Sequence, residues 1–330
     1  MPPIATDEIN PKIEIKPPTT ERRDNRSDFR FSGHQTFPLR LSWFPKAIKA
    51  LADGIDPFAD IDSGITRLGL GKNMVEALRC WIEAFQVAVK TEKNWKLTPV
   101  GELIFDRKRG LDPFIDEHST AWLLHWLICS NQSAPFFAWE CLFNRWHSPD
   151  FTASQVLAAF KKESDSSKRP ASAVTLRQHW EVFIHSYRPP RNGKGEDHLD
   201  CVLSQIRLVV EAGERQGTDG RIETRYEFDM SPKTSISNQF FAFTIHDWWN
   251  KTSRTESTVR LADVVFAHGS PGRLLKMAER EIIRRMEYLG HEANPDFEIT
   301  ESANQRVVTR RKESDGFKSL TEAYQNPIFI

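Results

Sequence analysis

Residues 65–105, ITRLGLGKNMVEALRCWIEAFQVAVKTEKNWKLTPVGELIF, decide the reading of this chain. Met74, Val75, Leu78, Trp81, Ile82 and Phe85 recur at i, i+1, i+4, i+7, i+8 and i+11, which is one face of an amphipathic helix. Gly69 and Gly71 interrupt the pattern just upstream and suit a sharp turn from a preceding short helix. Downstream, Val87 and Val89 alternate with other residues, a polar tip runs from Thr91 to Asn94, and Trp95 and Leu97 alternate again, as in a β-hairpin. Thr98-Pro99 reads as the N-cap and first residue of a new helix. Helix, turn, longer helix, hairpin and helix start is the order of a winged helix-turn-helix, a module that most often binds DNA.

The face of the longer helix turned away from the apolar stripe carries Lys72, Asn73, Glu76, Arg79 and Glu83. Lys72, Asn73, Glu76 and Arg79 reach base edges or phosphates if this helix docks in a major groove, and Lys93 sits at the hairpin tip. Residues 65–110 hold nine Lys/Arg against five Asp/Glu, a local net of +4 that suits a phosphate surface. A solvated outer face of an ordinary core helix has the same composition, and many winged helices bind protein instead of DNA.

The whole chain of 330 residues has zero formal net charge, so nucleic-acid contact must come from local patches. Its 22 Phe and 10 Trp supply sizeable cores. The four Cys stand far apart without a C-x-x-C pair, which predicts reduced thiols in a cytoplasmic protein rather than zinc ligands or disulfides. No apolar run reaches the ~18 residues of a membrane span, so no membrane contact is expected.

The expected fold is mainly α with small β-wings (α+β), with winged helix-turn-helix modules in two globular parts. Residues 1–29, rich in Pro, Thr and charge, read as a disordered tail; 30–150 as an N-terminal winged-helix domain with a Trp-rich helical core; 151–330 as a C-terminal helical and β domain. Residues 119–147 hold four Trp in stretches apolar almost all round, so they are buried, with His125 a satisfied core histidine. A second helix-turn-helix pattern falls at 152–187. Thr152 caps a helix through Phe160, and Leu176, Trp180, Phe183, Ile184 and Tyr187 mark another, with Arg177, Gln178 and His179 facing outward. A plain helical hairpin fits those residues equally well. Further on, residues 206–210 and 226–228 alternate like strands, 239–249 form a Trp-rich helix, and 297–311 a strand pair. Ser270-Pro271-Gly272-Arg273 is a turn running into a helix, which with Arg273 is either an anion seat or a routine helix start.

For catalysis there is no P-loop, GxGxxG, HExxH or G-x-S-x-G, so ATP hydrolysis, dinucleotide redox, zinc proteolysis and hydrolase-elbow chemistry lack support. Two constellations remain. Glu196, Asp197 and Asp200 are carboxylates close enough in sequence to hold Mg²⁺, which activates water and stabilises a leaving oxygen in phosphodiester cleavage. The alternative is a solvated acidic loop. His34 and Arg40 lie in the aromatic stretch FSGHQTFPLR and are either structural hydrogen-bonders or groups that bind and activate a phosphodiester, with His34 as general acid or base.

The runs FSGHQTFPLR, LGLGKNMVEALRCW, STAWLLHW, EDHLDCVLSQIRL and GSPGRLLK resemble those of a bacterial family found in DNA phosphorothioation operons, the family of the nicking subunit of the Ssp-type defence system. The resemblance covers Phe31 to about Arg310. It implies a DNA-binding subunit of an anti-phage modification system that nicks one strand of double-stranded DNA so that sulfur can be installed. It also implies partners: a cysteine desulfurase, an ATP pyrophosphatase and an ATPase. The matched positions include His34, Arg40, Gly71, Lys72, Asn73, Arg79, Glu196, Asp197, Asp200 and Arg273, none with an assigned role; Val202 stands where the family has Pro. Two non-catalytic functions compete with nicking: a DNA-recognition adaptor that places the modification enzymes, and a winged-helix transcriptional regulator.

Overall fold

The computed structural model describes residues 29–92, 94–188, 201–217, 220–293, 295–302 and 305–325. Residues 43–105, which include the deciding stretch, fold as four helices and a hairpin: α1 (Trp43–Ala52), α2 (Ile61–Leu68), α3 (Lys72–Ala84), β1 (Ala88–Lys90), β2 (Trp95–Leu97) and α4 (Pro99–Phe105). Asp60 caps α2 by accepting from the Ser63 amide at 2.8 Å. Gly69, at φ +62°, ends α2 in the left-handed region, where an L side chain is strained. The chain then re-enters helix at Lys72. Along α3, Val75, Leu78, Trp81, Ile82 and Phe85 are buried and Met74 is half-buried, so the periodic face is the core face.

β1 and β2 pair antiparallel, with Val89 opposite Lys96. Thr98 closes the hairpin twice: its hydroxyl donates to the Gln86 carbonyl at 2.7 Å, and it accepts from the Gly101 amide at the start of α4 at 3.1 Å. Gly101 is obligatory there, since a Cβ would meet the Val87 carbonyl oxygen at 2.0 Å.

Behind α3 lies an aromatic helical body. It comprises α5 (His118–Cys129), α6 (Phe137–Trp139) running into π-helical turns over Glu140–Arg145, α7 (Ala153–Asp165) and α8 (Ala173–Tyr187). α5 is buried from Thr120 to Cys129, as an all-round apolar helix must be. Thr152 and Gln155 form a capping box at the start of α7. That helix runs past Phe160 to Asp165, because 161–165 continue it with polar residues and an i,i+4 pair, Lys161–Asp165 at 2.9 Å. The helix is therefore longer than the 152–160 span expected from the sequence.

The chain continues through a 3₁₀ turn (Val202–Ile206), β4 (Val209–Gln216), β5 (Ile222–Phe228), α9 (Asn238–Thr252), β6 (Thr258–Arg260) and α10 (Leu261–Phe266). It closes with α11 (Pro271–Leu274), α12 (Glu279–Gly290), β7 (Phe297–Ser302), β8 (Gln305–Arg310) and α13 (Phe317–Gln325). Two further antiparallel sheets have orders β3-β5-β4, with β3 at Asp150–Thr152, and β6-β8-β7. The fold class is thus α+β, mainly helical with small antiparallel sheets.

The division expected after residue 150 falls inside β3. Hydrogen bonds span residue 150: Trp122 donates to Ser235 at 3.0 Å, Trp126 to Asp247 at 2.7 Å, and Thr120 meets the Tyr324 hydroxyl at 2.8 Å. Buried apolar side chains from Phe31 to Tyr324 form one continuous cluster. Among the described residues no helix is long and apolar enough to cross a membrane. The four Cys are buried and unpaired.

Candidate nucleic-acid interface

Helix α3 sorts its residues by face. Its inner face ends on Trp81, whose indole donates to the Phe37 carbonyl at 3.0 Å and packs edge-on to Trp139 at 5.8 Å between centroids. Its outer face presents Lys72, Asn73 and Arg79, all exposed. Glu76 shares that face but is half-buried, and its carboxylate accepts from the Gln35 amide at 2.8 Å. This contact orients Glu76; Gln35 carried no sequence signal for it, being one polar residue in an aromatic run. Around the helix, Arg67 on α2, Lys90 on β1 and Lys96 on β2 are also exposed. They belong to the local positive excess, although no pattern singled them out.

The other expected DNA contacts are dispersed. Arg40 is half-buried and lies over the rings of Phe37 and Trp43, 5.9 and 5.4 Å from their centroids. Arg177 is exposed on α8. Arg273 is on the four-residue helix α11, where its guanidinium donates to the Phe266 carbonyl and to His147, each at 2.8 Å. Lys93 lies outside the described residues, as do Glu196, Asp197 and Asp200. Among the described residues no group of three His, Cys, Asp or Glu could hold a metal ion.

His34 is buried, 1% exposed, and so is His179. The expectation that His179 faces outward is corrected here: position 179 lies on the same turn as Leu176 and Trp180 and shares their inner face, a signal that the i, i+4, i+7 count passed over. Their hydrogen bonds fix their protons. The Ala138 amide can only donate, so His179 Nε2 accepts from it at 2.9 Å and His179 carries its proton on Nδ1. That proton goes to His34 Nε2 at 2.8 Å, and His34 Nδ1 donates to the Gln35 carbonyl at 2.8 Å. Both rings are neutral and neither has an uncommitted lone pair. Burial, reinforced by Arg30, brings the His34 pKa down to about 4 despite the Gln35 bond, and burial beside His34 puts His179 well below the usual histidine value. As placed, His34 locks the 31–41 segment to α8 rather than meeting solvent. His125 is bonded in the same way: Nε2 donates to the Leu274 carbonyl at 2.9 Å, so Nδ1 accepts from the Tyr187 hydroxyl at 2.7 Å. It is the satisfied core histidine that the sequence leads one to expect.

A helix–turn–helix–hairpin that turns Lys72, Asn73 and Arg79 outward, braced by an aromatic helical body with two small sheets, defines this as an α+β protein with one candidate recognition helix. The chain belongs to the DUF4007 family, described as a protein of unknown function, whose sequence profile matches residues 31–324. Its fold is that of SspB. The crystal structure of magnesium ion-bound SspB matches with TM-score 0.78 and 24% identity over 90% of this chain and 89% of the other. A second SspB crystal structure matches with the same TM-score and coverage at 23% identity. A comparison with curated proteins gives no match. The resemblance drawn from the sequence runs is thereby borne out at the level of the fold.

Proposed function

We propose that this chain is the DNA-binding subunit of a bacterial DNA phosphorothioate-modification system, acting in phage defence, and that α1–α4 with the hairpin are a winged helix-turn-helix. The observation that carries this reading is the division of α3 into a core face and an outward face of Lys72, Asn73 and Arg79. Lys72 and Arg79 neutralise phosphates or read guanine, and Asn73 has the donor–acceptor pair that matches adenine. The hairpin, with Lys90 and Lys96, lies against the adjacent backbone. The SspB fold supports placing the protein in the Ssp-type system, with desulfurase, ATP pyrophosphatase and ATPase subunits as partners. Nicking of one strand is part of the proposal, with Glu196, Asp197 and Asp200 as the carboxylates that would hold Mg²⁺.

The alternative is a non-catalytic recognition adaptor, and one observation favours it: the lone pairs of His34 are committed inside the core. One experiment addresses both. Duplex binding is titrated against salt for the intact protein and for Lys72→Ala/Arg79→Ala, and supercoiled plasmid is incubated with either Mg²⁺ or EDTA. Loss of two phosphate contacts lowers the slope of log K against log salt by roughly 1.8. An unchanged affinity and slope removes the recognition-helix assignment. Metal-dependent open circles that disappear in Glu196→Ala/Asp197→Ala/Asp200→Ala make the protein a nickase; binding without nicking makes it an adaptor.

A further inference from the structure

Between α4 and α5 the chain runs through residues 106–117 outside helix and strand, yet this loop is pinned at both ends. The Asp106 carboxylate accepts from the amides of Lys108 and Arg109 at 3.0 and 2.8 Å. The amides of Leu111 and Asp112 donate back to the α4 carbonyls of Leu103 and Ile104 at 3.0 and 2.8 Å. Asp112 is buried, and its carboxylate accepts from the amides of Asp116 and Glu117 at 2.8 and 3.0 Å. Ile115 is turned inward and buried, at φ +62°. Between these anchors Phe114 is 56% exposed and makes no ring contact among the described residues. A loop fixed in this way holds an aromatic ring out in water and forgoes the stabilisation that burying it would bring.

Phe114 is one wall of an open groove of about 200 Å³ between α1 and this loop. Buried Ile48 and Phe105 form its floor, and Pro45 and Pro113 also line it. Its charged members are Lys46, Lys49 and Arg107, all exposed. Lys46 and Lys49 stand three residues apart on α1 and so share a face. None of the three cations makes an ion pair or a side-chain hydrogen bond among the described residues. Among those residues no carboxylate lines the groove: Asp106 and Asp112 are turned to backbone amides, and Asp53 and Glu102 lie outside it. Helices α1 and α4 both pack against β2, so the groove belongs to the module that carries the hairpin. It is smaller than the roughly 300–1,000 Å³ of an enclosed ligand site, which suits one flat ring rather than a whole small molecule. Unpaired cations around an apolar seat with an open aromatic face match a chain that alternates flat rings with negative charges. In a duplex the base faces are covered by their neighbours, and Phe114 would have nothing to stack on. Resting on the DNA-binding reading above, we propose that this groove binds unpaired nucleotides of a DNA strand, with a base stacked on Phe114 and the flanking phosphates held by Lys46, Lys49 and Arg107.

The test is fluorescence anisotropy of the full chain with three labelled probes: an oligothymidylate, the same strand with abasic spacers in place of every thymidine, and a duplex. The oligothymidylate binds more tightly than the abasic strand, since both carry the phosphates and only one carries bases. Phe114→Ala weakens oligothymidylate binding about tenfold or more, Phe114→Trp binds as the intact chain does, and neither changes the abasic strand. Lys46→Ala/Lys49→Ala/Arg107→Ala lowers the slope of log K against log salt by roughly 2 for a single strand. All four side chains are exposed, so thermal unfolding of these variants overlays that of the intact protein. Equal binding of the thymidylate and abasic strands, or a thymidylate affinity that Phe114→Ala leaves intact, overturns the proposal. Binding of an acidic Glu-Phe repeat peptide in place of the strand, lost in Phe114→Ala, also overturns it and makes the groove a protein-docking site. The two DNA readings fail separately: Lys72→Ala/Arg79→Ala lowers duplex affinity and leaves oligothymidylate affinity unchanged, and Phe114→Ala does the reverse.

Discussion

Helices α3 and α5 are nearly equal in length, thirteen and twelve residues, and each carries histidine- or tryptophan-centred packing, yet they treat polar groups in opposite ways. α3 has two faces, and its Lys72, Asn73 and Arg79 are left to water. α5 has none to spare for solvent between Thr120 and Cys129, so every polar group it brings inside must find a protein partner. Trp122 and Trp126 reach Ser235 and Asp247, and His125 joins a one-directional chain in which Trp139 donates to Tyr187, Tyr187 to His125 and His125 to Leu274. The second chain, Ala138 to His179 to His34 to Gln35, does the same between α8 and the segment that precedes α1. The interior polar groups tie the helices of the body together, while Lys72, Asn73 and Arg79 of α3 face outward.

The largest way to break this contrast is acid. Burial brings His125 as well as His34 down from 6.5 to about 4. A histidine depressed in the folded state stays neutral while the unfolded chain takes up a proton, so its contribution is intact above pH 6.5 and is lost as pH falls toward 4. The loss is on the order of 3 kcal/mol per ring at most. Denaturant midpoints measured at pH 7.5, 6 and 5 should fall steadily through this window. The depressed carboxylates, Asp106, Asp150, Asp229 and Glu140, act from their usual 3.8 to 4.5 downward, below most of this window, so they do not mask it. A flat midpoint between pH 7 and 5 would mean that the rings are protonated in the fold, against the bonding directions above.

A smaller disturbance is Tyr187→Phe. It changes no volume worth counting, yet it strands two buried groups, the Trp139 indole N–H and the His125 Nδ1 lone pair. At about 1–3 kcal/mol for each stranded group, the expected loss is roughly 2–6 kcal/mol in chemical unfolding. A loss below about 0.5 kcal/mol would show that water replaces the hydroxyl and that the interior chain is not sealed.

The outer helix was legible in the sequence because its signals are local: a 3.6-residue stripe, a Gly at a left-handed position, and a Thr-Pro helix start each act within a few residues. The burial of α5 was legible too, since a helix apolar all round has only one place to go. The partners of the interior polar groups were not. His34 meets His179 across 145 residues and Trp122 meets Ser235 across 113, and no periodicity encodes such pairs. His179 misled for a related reason: a polar type on a helix edge suggests solvent until a buried amide such as that of Ala138 is known to need an acceptor. Strand β3, three residues long, gave too short a pattern to read. The cavity lined by Trp126, Arg145, Lys251 and His268 is assembled from α5, the π-helical turns, α9 and the 268–269 loop, so it exists only after folding.

The smallest expected effect sharpens the comparison most. Lys72→Ala/Arg79→Ala removes two side chains that are exposed and whose counterpart on the helix, the buried stripe through Trp81, is untouched. Surface changes of this kind move stability by no more than about 0.5 kcal/mol. Alanine also favours helix at least as well as lysine or arginine, so α3 itself does not weaken. Thermal unfolding of the double variant should therefore overlay that of the intact protein, while duplex affinity falls. If Tm drops by several degrees instead, those side chains pack into the fold. The loss of DNA binding would then report damage to α3 rather than removal of contacts, and the surface would have to be re-examined through the hairpin residues Lys90 and Lys96, whose exposed side chains offer the same test without touching the helix.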